Sequence, residues 1–318
     1  MTTLRVLPKA LLLLIALGTP LFAQTYPIRP VRIVTAEPGG GGDFISRTVG
    51  QGISAALQQP VIIENRGGGM LPAIHVSKAT ADGYTLLCSS GVMWIGPLLQ
   101  KMSYDAVRDF SPVTLAVSAP NILVINPTLP VNSVQELITY AKAKPGQLNY
   151  GSAGTGGSAH LAAELFKSMA GVSITMIPYK GAGPALIAML GNEIQTMFAT
   201  ATAATVHIQS GKIKALAVTT AQPSVLVPGV PTMAASGLPG YESATITGFF
   251  ALAGTPAPVI HRLNHEMNRV LATQDVKDKF LKTGVEAVGN TPAQYAQIMK
   301  SEIARLGKVI RDAGIRAN

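Results

Sequence analysis

Val31-Arg-Ile-Val-Thr-Ala-Glu-Pro-Gly-Gly-Gly-Gly-Asp-Phe-Ile45 is the stretch on which the fold class turns. Val31 to Ala36 is a β-branched, apolar run. Pro38 and the glycines stop it, and from Ile45 apolar residues return at every fourth position, at Val49, Ile53 and Leu57. The first pattern is that of a buried strand, the second that of an amphipathic helix. Where a strand becomes a helix through glycine, the first helical N–H groups lack intrahelical partners and the helix dipole adds partial positive charge. No side chain holds a ligand off. A second such turn, Gly151-Ser-Ala-Gly-Thr-Gly-Gly-Ser158, follows the strand-like Leu148 to Gly151 and leads into Leu161, Leu165 and Met169 at helical spacing. Either turn would hold a carboxylate well, and Asp43 and Ser158 are expected to act as N-caps that fix the loops.

The same alternation continues along the chain. Val61 to Glu64, Thr85 to Ser89, Asn121 to Asn126, Ser173 to Pro178, Ile194 to Ala199, Ala215 to Thr219 and Thr247 to Ala253 read as strands. Leu263, Met267, Val270 and Leu271 mark a helix face near the end. Strands alternating with helices argue for an α/β fold of parallel sheets covered by helices. Asn126-Pro-Thr-Leu-Pro130 and Pro239-Gly-Tyr241 divide the chain into three parts, with more strands than one ordinary sheet needs. The expected arrangement is a discontinuous first domain, 24–123 plus 246–318, with a second domain, 124–245, inserted into it. Two crossing strands would then form a hinge able to close on a ligand.

Composition narrows the function. Of 318 residues, 47% are hydrophobic and 13% charged, enough for a well-packed core. Arg5 and Lys9 precede an apolar run, Ala10 to Leu17, that Gly18, Thr19 and Pro20 break, which reads as a secretory signal over 1–23 with cleavage after Ala23. The run falls short of the roughly 20 residues of a membrane span, so the mature protein is expected free in the compartment to which it is exported. Cys88 is the sole cysteine, so no internal disulfide forms, and its apolar strand context reads as a buried thiol. The net charge of +9 favours anionic ligands, but the basic residues are scattered singly, without the stripe that nucleic-acid binding requires.

Catalytic readings find little support. Gly154-x-Gly156-x-x-Ala159 fits a permissive dinucleotide fingerprint, yet the acid expected about 20 residues on is missing, where the chain reads Ile177-Pro-Tyr-Lys-Gly181. Neither glycine run continues to Gly-Lys-Ser/Thr, and Ser158 with His160 is not a nucleophile elbow. His261 and His265 stand at helical spacing beside Glu266 without further ligands, and read as a solvated helix face and not a metal site.

Several short motifs in order carry a family resemblance. They are Tyr26-Pro-Ile-Arg-Pro30, the Pro38 to Asp43 turn, Glu64-Asn-Arg66, Asp82-Gly-Tyr-Thr-Leu86, Tyr150-Gly-Ser152, His160-Leu-Ala-Ala-Glu-Leu-Phe166, Pro178-Tyr-Lys-Gly181, Leu216-Ala-Val-Thr219, Val230-Pro-Thr232 and Gly237-Leu-Pro-Gly-Tyr241. Along essentially the whole mature chain the sequence resembles the substrate-binding receptors of tripartite tricarboxylate transporters, the Bug family. The resemblance implies a periplasmic-binding-protein-like fold of type II, two α/β domains joined by a hinge with the ligand cleft between them. It implies a non-enzymatic, cofactor-free, monomeric receptor that delivers a small carboxylate or amino acid to a two-subunit membrane permease. A sensor presenting its solute to a membrane kinase would use the same fold. Binding residues implied are Gly41, Gly42, Asp43, Ser89, Ser90, Ser152, Thr155, Gly156, Ser158 and Ala199, with Ala36, Glu37 and His160 as specificity positions. Two departures stand out. Thr35-Ala36 replaces the family's Pro-Phe, with Glu37 beside an anion site, and Ala199 stands where the family usually has an aspartate. If Glu37 points inward, it disfavours a multiply charged anion.

Overall fold

The computed structural model describes residues 26–152, 157–179 and 181–315; the expected signal segment, Thr155 and Gly156 lie outside them. In chain order the elements are β1 (Val31–Thr35), α1 (Gly41–Leu57), β2 (Val61–Asn65), α2 (Leu71–Val76), β3 (Thr85–Ser90), α3 (Val92–Leu99), β4 (Phe110–Ile125), α4 (Val134–Ala143), β5 (Asn149–Ser152) and α5 (Ser158–Ala170). They continue with β6 (Thr175–Pro178), α6 (Ala182–Leu190), β7 (Thr196–Thr200), α7 (Ala201–Gln209), β8 (Lys214–Val218), β9 (Ala244–Leu252), α8 (Ala257–Leu271), α9 (Gln274–Lys282), β10 (Glu286–Ala287) and α10 (Pro292–Asp312).

The strands run in the order β2-β1-β3-β9-β4-β7-β5-β6, with β8 and β10 also paired to β4. They fall into two groups that share β4. Phe110 to Pro120 pairs with β9, and Asn121 to Ile125 pairs with β7 and β8. The expectation of parallel sheets holds for β1 with β2 and β3 and for β5 with β6 and β7. It fails at β4 and β9, which run antiparallel to their neighbours. Only Asn121 to Asn126 reads as a strand in the sequence, because Pro112 and Pro120 interrupt the run before it. The structure accommodates the first proline at a register shift between Pro112 and Thr114, where a missing N–H costs no ladder bond, and the second just before β4 changes partners.

The crossing point is tied by hydrogen bonds among Asn121, Thr219 and Ser243. Thr219 N–H donates to the Asn121 carbonyl at 2.9 Å, and Asn121 N–H returns to Thr219 Oγ1 at 2.9 Å. Ser243 N–H donates to the Thr219 carbonyl at 2.8 Å as the chain re-enters β9.

Strand alternation sends successive side chains to different cores. Val31 and Ile33 join Val49, Ile53, Leu263 and Met267 on one face of the first group, while Val34 joins Leu87, Trp94, Phe250 and Tyr295 on the other. In the second group Leu123 and Ile125 pack with Tyr150 and Phe166, and Ile122 and Val124 with Met189 and Met197. Each large side chain so buried contributes about 1.5–3 kcal/mol. Helices α1 and α8 approach so closely that a Cβ on Gly52 would stand 2.5 Å from a Val270 methyl. Helix α10 starts with a capping box between Thr291 and Gln294. Its first half packs into the first group through Tyr295 and Met299, and its last turns meet Leu161 of α5 through Leu306 and Ile310. Among the described residues no helix is long and apolar enough to cross a membrane.

Candidate functional site

The first glycine turn is closed from within. Helix α1 takes Gly40 as its N-cap, so Asp43 is its third residue and not the cap expected from the sequence. From there the side chain folds back over the turn. Gly39 N–H donates to Oδ2 at 2.9 Å, Asn65 Nδ2 to Oδ1 at 2.9 Å and Arg47 Nε to Oδ2 at 3.0 Å. The Arg47 bond, helped by Gly39 and Asn65, holds the Asp43 carboxyl down at about 2 against the opposing pull of desolvation. Gly42 is pressed on Thr35, whose Oγ1 would stand 2.6 Å from a Cβ there, while a Cβ at Gly41 would meet open space. Gly41 borders a hollow of about 350 Å³ with Phe44, Ile45, Thr283 and Val285. Ala36 lends its carbonyl to Asn65 Nδ2 at 2.7 Å. The exposed Glu37 lays its carboxylate over the backbone of Gly68, where a side chain would collide with it. Glu37 thus packs on the Arg66 to Gly69 loop.

At the second turn the N-cap of α5 is Gly157, with φ −71° and ψ 164°, and Ser158 is the first helical residue, again not the expected cap. No acidic residue lies in the first turn. The third position, which Asp43 fills in α1, is here His160, buried at 6% exposure. Burial holds the imidazole below its ordinary value, Glu164 one turn on pulls the other way, and Lys167 adds to the lowering. Glu164 is itself engaged, accepting from Tyr150 Oη at 2.8 Å and Lys167 Nζ at 2.7 Å. Ser152 is buried at the end of β5, and its carbonyl accepts from Tyr179 N–H at 2.8 Å.

Gly157 and Ser158 open onto a cavity of about 430 Å³ between the two strand groups, a volume in the range of small-ligand sites. Across from them stand Ser90 and Gly91 at the end of β3 and the apolar side of α3, with Ile95 and Leu99; Ser243 to Ile246 and residues Glu302 and Leu306 of α10 complete the wall. Ser89, its neighbour, is 8% exposed and is absent from that wall; its Oγ donates to the Ser90 carbonyl at 3.3 Å. Cys88 is buried, and desolvation pushes its thiol up to about 11. Ala199, expected among the binding residues, is 0% exposed and packs in the core with Ile122, Val124 and Met197. Strand alternation turns it inward, and it is the next residue, Thr200, that caps α7.

Glu302 is the wall residue that sequence reasoning missed. It is 6% exposed, its Oε2 accepts from Trp94 Nε1 at 3.3 Å, and its Oε1 from Arg305 at 3.5 Å. Burial pushes its carboxyl up to about 7, against the lowering effects of Arg305 and Trp94. The available signal was its spacing: Tyr295, Met299, Glu302 and Leu306 form one helical stripe, and a charge inside an apolar stripe is unusual. Among the described residues no cluster of ligating side chains could hold a metal ion.

Comparison with known proteins agrees with this architecture. Residues 45–315 match the family described as "Tripartite tricarboxylate transporter family receptor". Protein BugT of Bordetella pertussis strain Tohama I is 36% identical over 306 residues, covering 94% of each chain. Among solved structures, a TctC solute binding protein from Polaromonas, without ligand, superimposes with a TM-score of 0.84 at 25% identity, covering 91% of this chain and 100% of that one. R. palustris Rpa4515 with adipate gives a TM-score of 0.70 at 35% identity, covering 92% of this chain and 99% of its own. By sequence along nearly its whole length and by fold, the chain belongs to the TctC family of solute-binding receptors.

Proposed function

We propose that this chain, once exported to the periplasm, captures a small organic acid in the cleft between its two strand groups and delivers it to a two-subunit tripartite-type membrane permease. The two groups act as domains, 24–123 with 246–318 and 124–245, and the hinge is the passage of β4 through Asn121 with the return at Thr219 and Ser243. The observation that carries this reading is the first turn of α5. It has a glycine N-cap and no acid, and it opens through Ser158 onto a cavity of about 430 Å³ that Ser90 also lines. A ligand carboxylate placed there accepts from main-chain N–H groups at the positive end of a helix. Ser152, Thr155 and Gly156 extend that grip, and Gly41 and Gly42 contribute a smaller share from the opposite domain, since Asp43 already satisfies part of their turn.

The chemistry required is binding alone. A thermal-shift and calorimetric screen of the mature protein against mono- and dicarboxylates, amino acids and NAD tests the reading, because a ligand of the folded state raises its apparent stability. The expected result is a rise with one carboxylate class, reduced in Ser158→Pro. Stabilisation by NAD alone would end the receptor reading.

A further inference from the structure

The cavity beside Ser158 is wider than a carboxylate needs, and its composition is uneven. Past Ser90 and Ser158, Met70, Ile95, Leu99, Leu161 and Leu306 offer a ligand dispersion contacts, and the uncharged polar residues Gln100, Ser243 and Thr245 also line it, so Glu302 is its one ionisable wall residue among the described residues. Its α10 wall then carries Glu302. Arg305 faces this carboxyl but is shared: its other terminal nitrogen donates to Glu242 at 3.2 Å, and its Nε has no partner among the described residues. Two carboxyls therefore share one guanidinium. The two donors that reach Glu302, from Trp94 and Arg305, do so at 3.3 and 3.5 Å, which leaves acceptor capacity on both oxygens.

We infer that the acid bound by this receptor has an apolar body that lies along α3 and α10, and that Glu302 is a specificity residue selecting a hydroxyl or amino group at its far end over a second carboxylate. The inference rests on the reading of the chain as a carboxylate receptor. A donor on the ligand fills an open acceptor site on Glu302. A second carboxylate meets a wall already short of positive charge, in surroundings that screen like charges poorly. Because burial pushes the Glu302 carboxyl up to about 7, the selection operates above that value, where the group is ionised, and the ligands are compared at pH 8. The ligand class is thus a monocarboxylic acid with a ring or branched body and a polar, uncharged or cationic tip.

Trp94 is the only tryptophan and donates directly to Glu302, so its fluorescence reports on this wall. Para-hydroxyphenylacetate and adipate are titrated against the wild type, Glu302→Gln and Ser158→Pro, by Trp94 emission and calorimetry. The wild type is expected to prefer the hydroxy acid by about tenfold, and Glu302→Gln to narrow that ratio about fivefold, mainly by tightening adipate. A structural role for Glu302 would weaken both ligands equally and leave the ratio alone, which would overturn the inference. If Glu302→Gln does not fold, the wild-type ratio decides: adipate bound as tightly as the hydroxy acid overturns it. Carboxylate binding that is weakened by Ser158→Pro but shows no preference sinks this inference and leaves the receptor reading intact. Failure of every carboxylate sinks both.

Discussion

The two glycine turns were written alike, strand into glycines into helix, yet they end in opposite electrostatic states. At the third position of α1 the chain places Asp43, whose carboxylate receives Gly39, Asn65 and Arg47 and so supplies the negative charge that the helix start attracts. At the third position of α5 it places His160, buried and held toward its neutral form, and the first turn contains no acid. The first turn carries its own anion; the second has no acid of its own in the corresponding turn. A glycine-rich turn therefore marks where an anion can sit, and the residue at the third helical position decides whether the protein has already filled it.

The sharpest way to break this comparison is to make the second turn like the first. His160→Asp puts a carboxylate at the corresponding position of α5 and is expected to weaken carboxylate binding about a hundredfold or more by like-charge repulsion, measured by calorimetry. Circular dichroism checks that the variant is folded. Undiminished affinity would remove the α5 turn from the site.

Emptying the first turn tests the other half. Asp43→Ala removes charge-assisted bonds and is expected to cost about 2 kcal/mol of stability in urea unfolding, with a much smaller effect on affinity. Because the Asp43 carboxyl lies at about 2 in the folded protein and ordinarily at 3.8, its contribution is complete above pH 4 or so. It is lost as pH falls from about 4 to about 2, as the folded state too takes up the proton. The gap between wild type and Asp43→Ala should close over that window; a gap that stays constant would mean that packing, not charge, is what Asp43 supplies.

Proline gives a matched pair with a smaller effect. Gly41 and Ser158 are both first helical residues, behind N-caps with ψ 169° and 164°, a setting that proline tolerates. Ser158→Pro removes one N–H from the proposed grip and should weaken carboxylate binding about tenfold with little change in stability. Gly41→Pro should cost about twofold at most. Equal losses would assign the two turns equal shares and erase the distinction drawn here. The smallest response is expected next to the first turn at Cys88, which is 1% exposed and should resist alkylation in the native protein while reacting fully in urea. Fast native labelling would show that the strand under the first turn opens.

Much of this was legible in the residues. The β-branched runs and fourfold spacing placed α1, α5 and α8 and most strands, because periodicity records which face is buried. Glycine runs located both turns, since few other residues permit that approach. What escaped was set by partners distant in sequence. Phe110 to Pro120 contains prolines that speak against a strand, and only its pairing with β9, more than a hundred residues later, makes it one. Ala199 is singled out through the family resemblance, as standing where an aspartate is usual, but which face a strand end presents depends on register with β4.

By itself, then, the sequence determined the class of fold, the family, and two places where main-chain donors would be exposed, all of which depend on local pattern and residue type. Tertiary structure alone decided which of those turns is closed by a carboxylate of the protein itself. Asp43 meets Asn65 only because β1 and β2 lie side by side, and Glu302 reaches the cavity only because α10 crosses from one strand group to the other. Charge balance at a site is a sum over neighbours in space, and one-dimensional spacing does not contain it.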